Sequence, residues 1–260
     1  MLEEPYSAGM SHRPFKQRLY PLFARIGHAL ASDRRLELLD LLAQSPRHVD
    51  ALATETDMSV ASVSQHLQVL RNAHLVETER EGTKVRYRLA GDDVLDLWLS
   101  LRAVAESRLA EVAQLKRDFA VEGAGAEQVS RDDLQAQIDQ GKIMLIDVRP
   151  RIEFEHGHLP GAVSIPVDEL PARLGTLPKR RRIVTYCRGE YCLFADEAVA
   201  LLRAEGFNAV RLDGGWPEWL GEGRAVEHEP KVRAAEGDAV VTITMPEPKP
   251  ARASASPFQY

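Results

Sequence analysis

The hydrophobic pattern of the chain changes near residue 121, and this change limits the folds that are open to it. Before that point, apolar residues recur every three or four positions, as at Leu22, Ile26 and Leu30, and this spacing predicts amphipathic helices. After it, short apolar runs alternate with helical stretches, which predicts a parallel sheet covered by helices on both faces. The Gly/Ala-rich stretch 121–126 is typical of a linker. We therefore expect two domains, for which 260 residues are sufficient.

The first third of the chain predicts two helices that are joined by a short turn and followed by a β-hairpin. Asp57, Met58 and Ser59 interrupt the helical pattern, and Ser59 is a favourable N-cap for the second of these helices. Two short segments, 75–80 and 84–89, alternate apolar with polar residues and predict the hairpin. This order of elements is that of a winged helix-turn-helix, so we expect a mainly α first domain.

The outer face of the second helix and of the hairpin carries side chains that suit DNA. Gln and Arg can make bidentate contacts with base edges, while Ser, Lys and Arg can bind phosphates. A polar helix face is usually only a solvated surface, so the DNA interpretation depends on the whole order of elements. The charge is compatible with it, because residues 1–91 hold 12 basic and 11 acidic residues within a chain of net charge −6. The candidate DNA-contact residues are Ser59, Ser62, Ser64, Gln65, His66, Gln68, Arg71, Lys84, Arg86 and Arg88.

This part of the sequence resembles the ArsR family of bacterial repressors, through residues 28–36 and 62–76. The resemblance implies a homodimer that binds a double-stranded DNA operator. His74 stands where the family has a glycine at the end of the recognition helix, so we expect a positive φ there, at some strain. Members of this family often sense metals, but residues 1–120 contain no cysteine and residues 92–120 contain no histidine. We therefore expect neither a metal nor a cofactor.

The helix predicted over 92–120 carries an apolar stripe that is too long for one small domain to cover. The stripe could pack against the N-terminal helix of its own chain. The ArsR resemblance implies instead a homodimer interface formed by this helix and the N-terminal helix. A twofold dimer would place two recognition helices about one DNA turn apart. The stripe consists of Val94, Leu97, Trp98, Leu101, Val104, Ala105, Leu109, Val112, Leu115 and Phe119.

The strongest chemical signal is the position of Cys187. It follows the strand predicted over 182–186 and precedes the helix predicted over 193–205, and ligands bind at this edge of parallel sheets. We expect the loop N–H groups, the helix N-terminus and Arg188 to favour a nucleophilic thiolate on Cys187. Gly189 would allow the tight curvature of the loop. The candidate catalytic residues are Cys187, Arg188, Gly189, Glu190, Tyr191 and Cys192.

The second half of the chain resembles the rhodanese sulfurtransferases. The resemblance implies that Cys187 carries a persulfide sulfur from a sulfur donor to a thiol acceptor. Asp147 and Arg149 are supporting residues, for which we favour a structural salt bridge over direct catalysis. The matching segments are 147–149, 153–162, 187–192 and 214–219.

The loop that follows Cys187 departs from its relatives in two ways. Related phosphatases have an Arg where this chain has Leu193, so dephosphorylation is not expected. Glu190 adds a negative charge that should disfavour a dianionic donor such as thiosulfate. Cys192 is either a small residue at the start of a helix or a resolving thiol that attacks a persulfide on Cys187.

The expected protein is a DNA-binding regulator fused to a rhodanese-like domain, in which sulfur uptake by Cys187 changes DNA binding. One alternative is a working sulfurtransferase whose first domain serves dimerisation or tethering, and another is a disulfide switch between Cys187 and Cys192. We expect a cytoplasmic location, because neither a signal peptide nor a run of about 18 apolar residues is present. The predicted parts are a winged-helix and dimerisation domain (1–120), a linker (121–128), a rhodanese-like domain (129–230) and a partly disordered tail (231–260).

Overall fold

A computed structural model describes residues 13–81, 84–125 and 127–228. The described residues form two compact units, which divide between Trp98 and Leu99. This division falls within a helix, whereas the sequence analysis placed the linker at 121–128. The predicted tail, 231–260, lies outside the described residues. Within the described part of the chain, no helix has both the length and the apolar character needed to cross a membrane.

The first unit is mainly helical, with one small antiparallel sheet whose strand order is β1-β3-β2. Its last helix, α5, continues beyond the division into the second unit. The helices are α1 (Arg13–Leu30), α2 (Asp33–Gln44), α3 (Val49–Glu55), α4 (Val60–Asn72) and α5 (Asp92–Arg108), and the strands are β1 (Arg47–His48), β2 (Val76–Glu81) and β3 (Lys84–Leu89).

These elements confirm the predicted winged helix-turn-helix. Ser59 caps α4, because its side chain accepts a hydrogen bond of 3.2 Å from the backbone N–H of Ser62. The recognition helix α4 is followed by His74, whose φ is +58°, as the comparison with the family's glycine predicted. Strands β2 and β3 pair in register, with Thr78 opposite Tyr87. Strand β1 was not predicted, because two residues are too few to show an alternating pattern.

The core of the first unit holds α2, α3 and α4 together. Leu38, Leu52, Leu67 and Leu70 have no exposed surface, and burial of such a side chain contributes about 1.5–3 kcal/mol. A buried arginine completes the packing: Arg35 donates hydrogen bonds to the carbonyls of Ala29, His28 and Ala31, at 2.6, 2.8 and 3.3 Å. These carbonyls lie at the end of α1, where helical partners are lacking. The buried face of α4 thus leaves its polar face outward.

The second unit is built on a five-stranded parallel sheet with the order β4-β8-β7-β5-β6. Alternate residues of its central strand face opposite layers, since Ile183 packs in one hydrophobic cluster and Val184 in another. The strands are β4 (Gln128–Val129), β5 (Ile143–Asp147), β6 (Val163–Ser164), β7 (Arg182–Tyr186) and β8 (Ala209–Leu212), and the helices are α6 (Ala110–Asp118), α7 (Arg131–Asp139), α8 (Arg151–His156), α9 (Leu170–Arg173), α10 (Phe194–Ala204) and α11 (Trp216–Gly221), with a 3₁₀ turn at Leu174–Thr176.

One expectation about the middle of the chain needs correction. The helix predicted over 92–120 is broken at Leu109, where φ is −111° and ψ is 103°, so that α5 and α6 are separate helices. Within the stretch predicted as a linker, 121–128, Ala124 is buried in a hydrophobic cluster and β4 begins at Gln128. Neither Gly nor Pro marks the break at Leu109. The ion pair between Lys116 and Glu106, at 2.6 Å, joins the two helices across it.

The strain at His74 predicts an unusual stabilising substitution. His74→Gly should raise the free energy of unfolding by roughly 0.5–1 kcal/mol, because a glycine adopts the left-handed conformation without a Cβ clash. Urea denaturation of the full-length chain, followed by its helical signal, measures this. The matched control is His66→Gly within α4, which should be destabilising. An unchanged or lower stability of His74→Gly would contradict the account.

Candidate functional site

Cys187 lies directly after β7, in the loop that leads to α10. Its side chain has no exposed surface. Gly189 has a φ of +118°, which gives the loop the curvature expected from the sequence. Gly215 closes the other side, since a Cβ placed on it would lie 2.3 Å from the carbonyl oxygen of Cys187 and 2.5 Å from the nitrogen of Gly189. The backbone N–H of Trp216 donates to that same carbonyl at 3.1 Å.

The two sulfur atoms of the loop have opposite electrostatic surroundings. Burial raises the pKa of Cys187 well above its usual value, and the hydrogen bond from its thiol to Cys192 raises it further. The Cys187 Sγ also lies 3.3 Å from the carbonyl oxygen of Cys192. The same thiol hydrogen bond lowers the pKa of Cys192, with help from the backbone N–H groups of Arg188 and Phe194. Both directions run against the thiolate that the sequence analysis expected on Cys187.

Arg188, which the sequence analysis expected to favour a thiolate on Cys187, is held by a buried carboxylate. Its guanidinium pairs with the fully buried carboxylate of Glu153, with its Nε and Nη2 at 2.9 and 2.5 Å from Glu153 Oε1. The charge of Arg188 still helps to lower the pKa of Cys192. Arg188 therefore anchors the start of the loop to α8 and acts on the sulfur pair from a fixed position.

Glu190 and Tyr191 lie at the outer side of the loop, and residues of α5 and α6 contact both. Lys116 forms an ion pair with Glu190, so the negative charge that was expected to repel an anionic donor is partly compensated. Arg102 lies over the ring of Tyr191, 4.6 Å from its centroid. Burial and the hydrogen bond to Glu106 raise the pKa of Tyr191 to about 12. Sequence reasoning missed these three partners, because isolated charges on a helix carry no motif.

Asp147 and Arg149 form a fully buried ion pair at the end of β5. The Arg149 Nη2 lies 2.6 Å from Asp147 Oδ2 and also donates to the carbonyl of Gly157 at 2.8 Å. Burial alone would lower the pKa of Arg149, but the Asp147 carboxylate outweighs it and raises that pKa. The guanidinium also lies over the ring of Trp216, 4.8 Å from its centroid. These contacts fit the structural role that the sequence analysis favoured.

The candidate DNA-contact residues lie on α4, at its cap and on β3. Most are exposed, while Ser62, His66 and Arg86 are partly buried. Several already have partners: Ser59 caps α4, Arg86 donates to the carbonyl of Pro46 at 3.2 Å, and Arg88 pairs with Glu77. Gln68 donates to Asn72 at 2.7 Å. The exposed members are Ser59, Ser64, Gln65, Gln68, Arg71, Lys84 and Arg88.

An open groove of about 600 Å³ lies beside this face. Gln68 and Arg71 line it from α4, and Glu77 and Thr78 line it from β2. Among the residues that the structure describes, no group of three or more His, Cys, Asp or Glu side chains could hold a metal ion.

Comparison with known proteins agrees with both units. The family described as "Bacterial regulatory protein, arsR family" matches residues 32–78, and "Rhodanese-like domain" matches residues 130–222. The HTH-type transcriptional regulator Rv0324 of Mycobacterium tuberculosis is 44% identical over 220 residues, which cover 85% of this chain and 96% of that protein. The chain belongs to the ArsR-type transcriptional regulators that carry a rhodanese-like domain.

Each half of this ArsR-type regulator also has relatives of its own. A sulfurtransferase of Allochromatium vinosum is 32% identical over 90 residues, covering 34% of this chain and 82% of that protein. The first half is similar to the homodimeric winged helix-turn-helix DNA-binding domain of a possible ArsR-family regulator from Mycobacterium bovis. That structure is 48% identical with a TM-score of 0.37, covering 39% of this chain and 93% of its own.

The charge distribution between the two thiols predicts their order of alkylation. At neutral pH, iodoacetamide should modify Cys192 about tenfold or more faster than Cys187, because the thiolate is the reactive form. The labelling rate of Cys187, whose pKa is raised, should keep increasing at high pH. The labelling rate of Cys192, whose pKa is lowered, should level off at a lower pH. Peptide mass spectrometry after short exposures distinguishes the two sites. Modification of Cys187 first at neutral pH would contradict this assignment.

Proposed function

We propose that this regulator takes up sulfane sulfur as a persulfide on Cys187, and that the persulfide changes its occupancy of operator DNA. The observation that carries the proposal is the enclosed thiol of Cys187 at the carboxyl end of β7, in a chain that also contains a winged helix. The carboxyl edge of a parallel sheet is where such folds bind ligands. A coupling of about 1–3 kcal/mol between the two sites would change operator affinity by about 5–150-fold.

The two thiols of the loop support a balanced uptake step. The Cys187 sulfur attacks the outer sulfur of a donor persulfide, a new S–S bond forms, and the S–S bond of the donor breaks. The donor leaves as its thiolate, so it is reduced while Cys187 is oxidised to the persulfide. The proton of Cys187 passes to the Cys192 thiolate, to which it is already hydrogen-bonded. Cys192 thus acts as the general base.

The DNA side of the proposal rests on the exposed polar face of α4. Gln65, Gln68 and Arg71 reach outward and suit base edges, while Ser64 and Lys84 suit the phosphate backbone. Arg88 is a weaker candidate, because DNA would have to compete with Glu77 for its charge.

We also propose that the regulator acts as a homodimer. Apolar side chains on α1, on α5 and near α6 are each more than half exposed, and such surface usually marks an interface. A second copy of the chain carries the same apolar side chains on α1 and on the segment 104–119. In a twofold dimer, the apolar surfaces of the two copies can cover each other. These side chains are Phe15, Tyr20, Leu22, Phe23, Val104, Leu109, Leu115 and Phe119.

Operator binding with and without sulfur tests the coupling. A polysulfide-treated wild type should differ from untreated wild type by about 5–150-fold in Kd. Cys187→Ser should give the same Kd with and without treatment, because the accepting thiol is absent. Fluorescence anisotropy with a labelled operator fragment at fixed salt measures all four values. Equal affinities in all four conditions would refute the coupling.

A charge placed in the apolar surface tests the dimer. Phe23→Lys should shift the chain from dimer to monomer in sedimentation velocity, since a buried lysine would lack a partner in the interface. Ile152→Lys is the matched control, because Ile152 is also exposed but lies on α8, outside the proposed surface. A monomeric wild type, or a dimer that survives Phe23→Lys, would contradict the proposal.

The disulfide switch remains the second candidate, and the hydrogen bond between the two thiols favours it. Mass spectrometry of the intact chain separates the two, because a persulfide adds about 32 Da and a disulfide removes about 2 Da. A sulfurtransferase that turns over would pass this sulfur on to cyanide or a thiol acceptor, and that transfer would be lost in Cys187→Ala.

A further inference from the structure

The end of α5 and the whole of α6, residues 99–118, are called here the helical arm. The arm belongs to the second unit and lies outside the residues that the two family models match, 32–78 and 130–222, and it contacts the sulfur loop. Lys116 pairs with Glu190, and it also lies 2.6 Å from Glu106 of the arm itself. Glu106 accepts a hydrogen bond from Tyr191. The arm therefore holds two consecutive residues of the loop.

A second contact of the arm is with Glu218 of α11, which lies beside the loop. The Arg102 Nη1 lies 2.9 Å from Glu218 Oε1, and both side chains are largely buried. Glu218 lies against the backbone of the loop, since a Cβ placed on Gly189 would be 3.0 Å from each of its carboxylate oxygens. Burial raises the pKa of Glu218, and the charge of Arg102 opposes that rise. Arg102 thus pairs with Glu218, the residue whose carboxylate lies next to Gly189.

These contacts matter because the Cys187 side chain has no exposed surface, so a donor reaches its sulfur only when surrounding residues move. The backbone of the loop is closely packed, since a Cβ placed on Gly215 would lie 2.3 Å from the carbonyl oxygen of Cys187 and 2.5 Å from the nitrogen of Gly189. The arm holds residues 190 and 191 of this loop directly, through Lys116, Glu106 and Arg102, and it also contacts Glu218 beside Gly189.

We propose that Arg102 and Lys116 are positioning residues of the sulfur site, which hold the loop closed over Cys187 and are displaced when Cys187 takes up sulfur. This inference rests on the proposed persulfide at Cys187. Hydrogen bonds to Glu106 and Glu190 outweigh the effect of burial and raise the pKa of Lys116, so the arm presents a full positive charge to the loop. Arg102 and Glu106 lie on the same helix, α5, so displacement of the arm includes the end of that helix.

The rate of sulfur uptake tests the positioning role. Lys116→Gln should gain sulfur on Cys187 about two- to fivefold faster than wild type under limiting inorganic polysulfide, as expected for loss of one partly exposed ion pair. Lys116→Arg should restore the wild-type rate, because it keeps the charge. Arg117→Gln is the matched control, since Arg117 donates a hydrogen bond to Gln114 of the same helix, α6. Timed mass spectra of the intact chain give the rates.

The buried contact is tested by removing both of its charges together. The double variant Arg102→Gln, Glu218→Gln leaves no unpaired buried charge, and it should also gain sulfur faster than wild type. A rate for Lys116→Gln that equals or falls below that of wild type would overturn the positioning role. If the wild-type chain itself gains no sulfur, the proposed function fails together with the positioning role. This result comes from the wild type alone, so it can be told apart from a failure of the positioning role, which comes from the arm variants.

Hydrogen exchange of the wild-type chain provides a second test, which does not depend on whether the arm variants fold correctly. Polysulfide treatment should speed amide exchange in 99–118 of the wild-type chain and leave it unchanged in Cys187→Ser. Sulfur gain at Cys187 without any change in the exchange of this segment would overturn the proposed displacement, while leaving the persulfide itself in place.

Discussion

No surface of Cys187 is open to solvent, and the second unit is arranged so that this sulfur stays enclosed. The sheet supplies the position, because Cys187 follows the central strand β7 directly. Two glycines allow the backbone to pack closely around Cys187. A side chain at Gly215 would collide with the loop, and Gly189 adopts a φ that other residues rarely take. Burial raises the pKa of Cys187, and the hydrogen bond between the two thiols lowers the pKa of Cys192. In the proposed uptake step, the chemistry therefore starts from a thiol with a base beside it.

Much of the fold follows from local sequence. Strand β7 has the predicted bounds, because it is a short apolar run between clear breaks. Ser59 caps α4 and His74 adopts a positive φ, as their positions at the two ends of that helix predicted. The break at Leu109 could not be predicted in this way. Its surroundings contain neither Gly nor Pro, and the ion pair of Lys116 with Glu106, which joins the two helices, forms only in the folded chain.

The site was predictable only in part. The sequence placed Cys187 between a strand and a helix of a parallel sheet, which is where ligands bind. It could not give the direction in which each thiol's pKa shifts, since that depends on burial and on hydrogen bonds that only the folded loop creates. The partner of Arg188 was not predictable for a similar reason, because Glu153 is 35 positions away in the chain. Residues of the helical arm were missed because nothing in their local pattern distinguishes them from surface charges.

The central claim is that sulfur on Cys187 and occupancy of DNA are linked. The most direct measurement treats one operator-bound sample with increasing inorganic polysulfide and takes two readings from each step. One is the fraction of chains that carry added sulfur on Cys187, from peptide mass spectrometry, and the other is the fraction still bound to the operator. The account predicts that the two fractions change together along the series. Operator occupancy that changes while Cys187 carries no added sulfur, or that stays constant while Cys187 becomes fully modified, would contradict it.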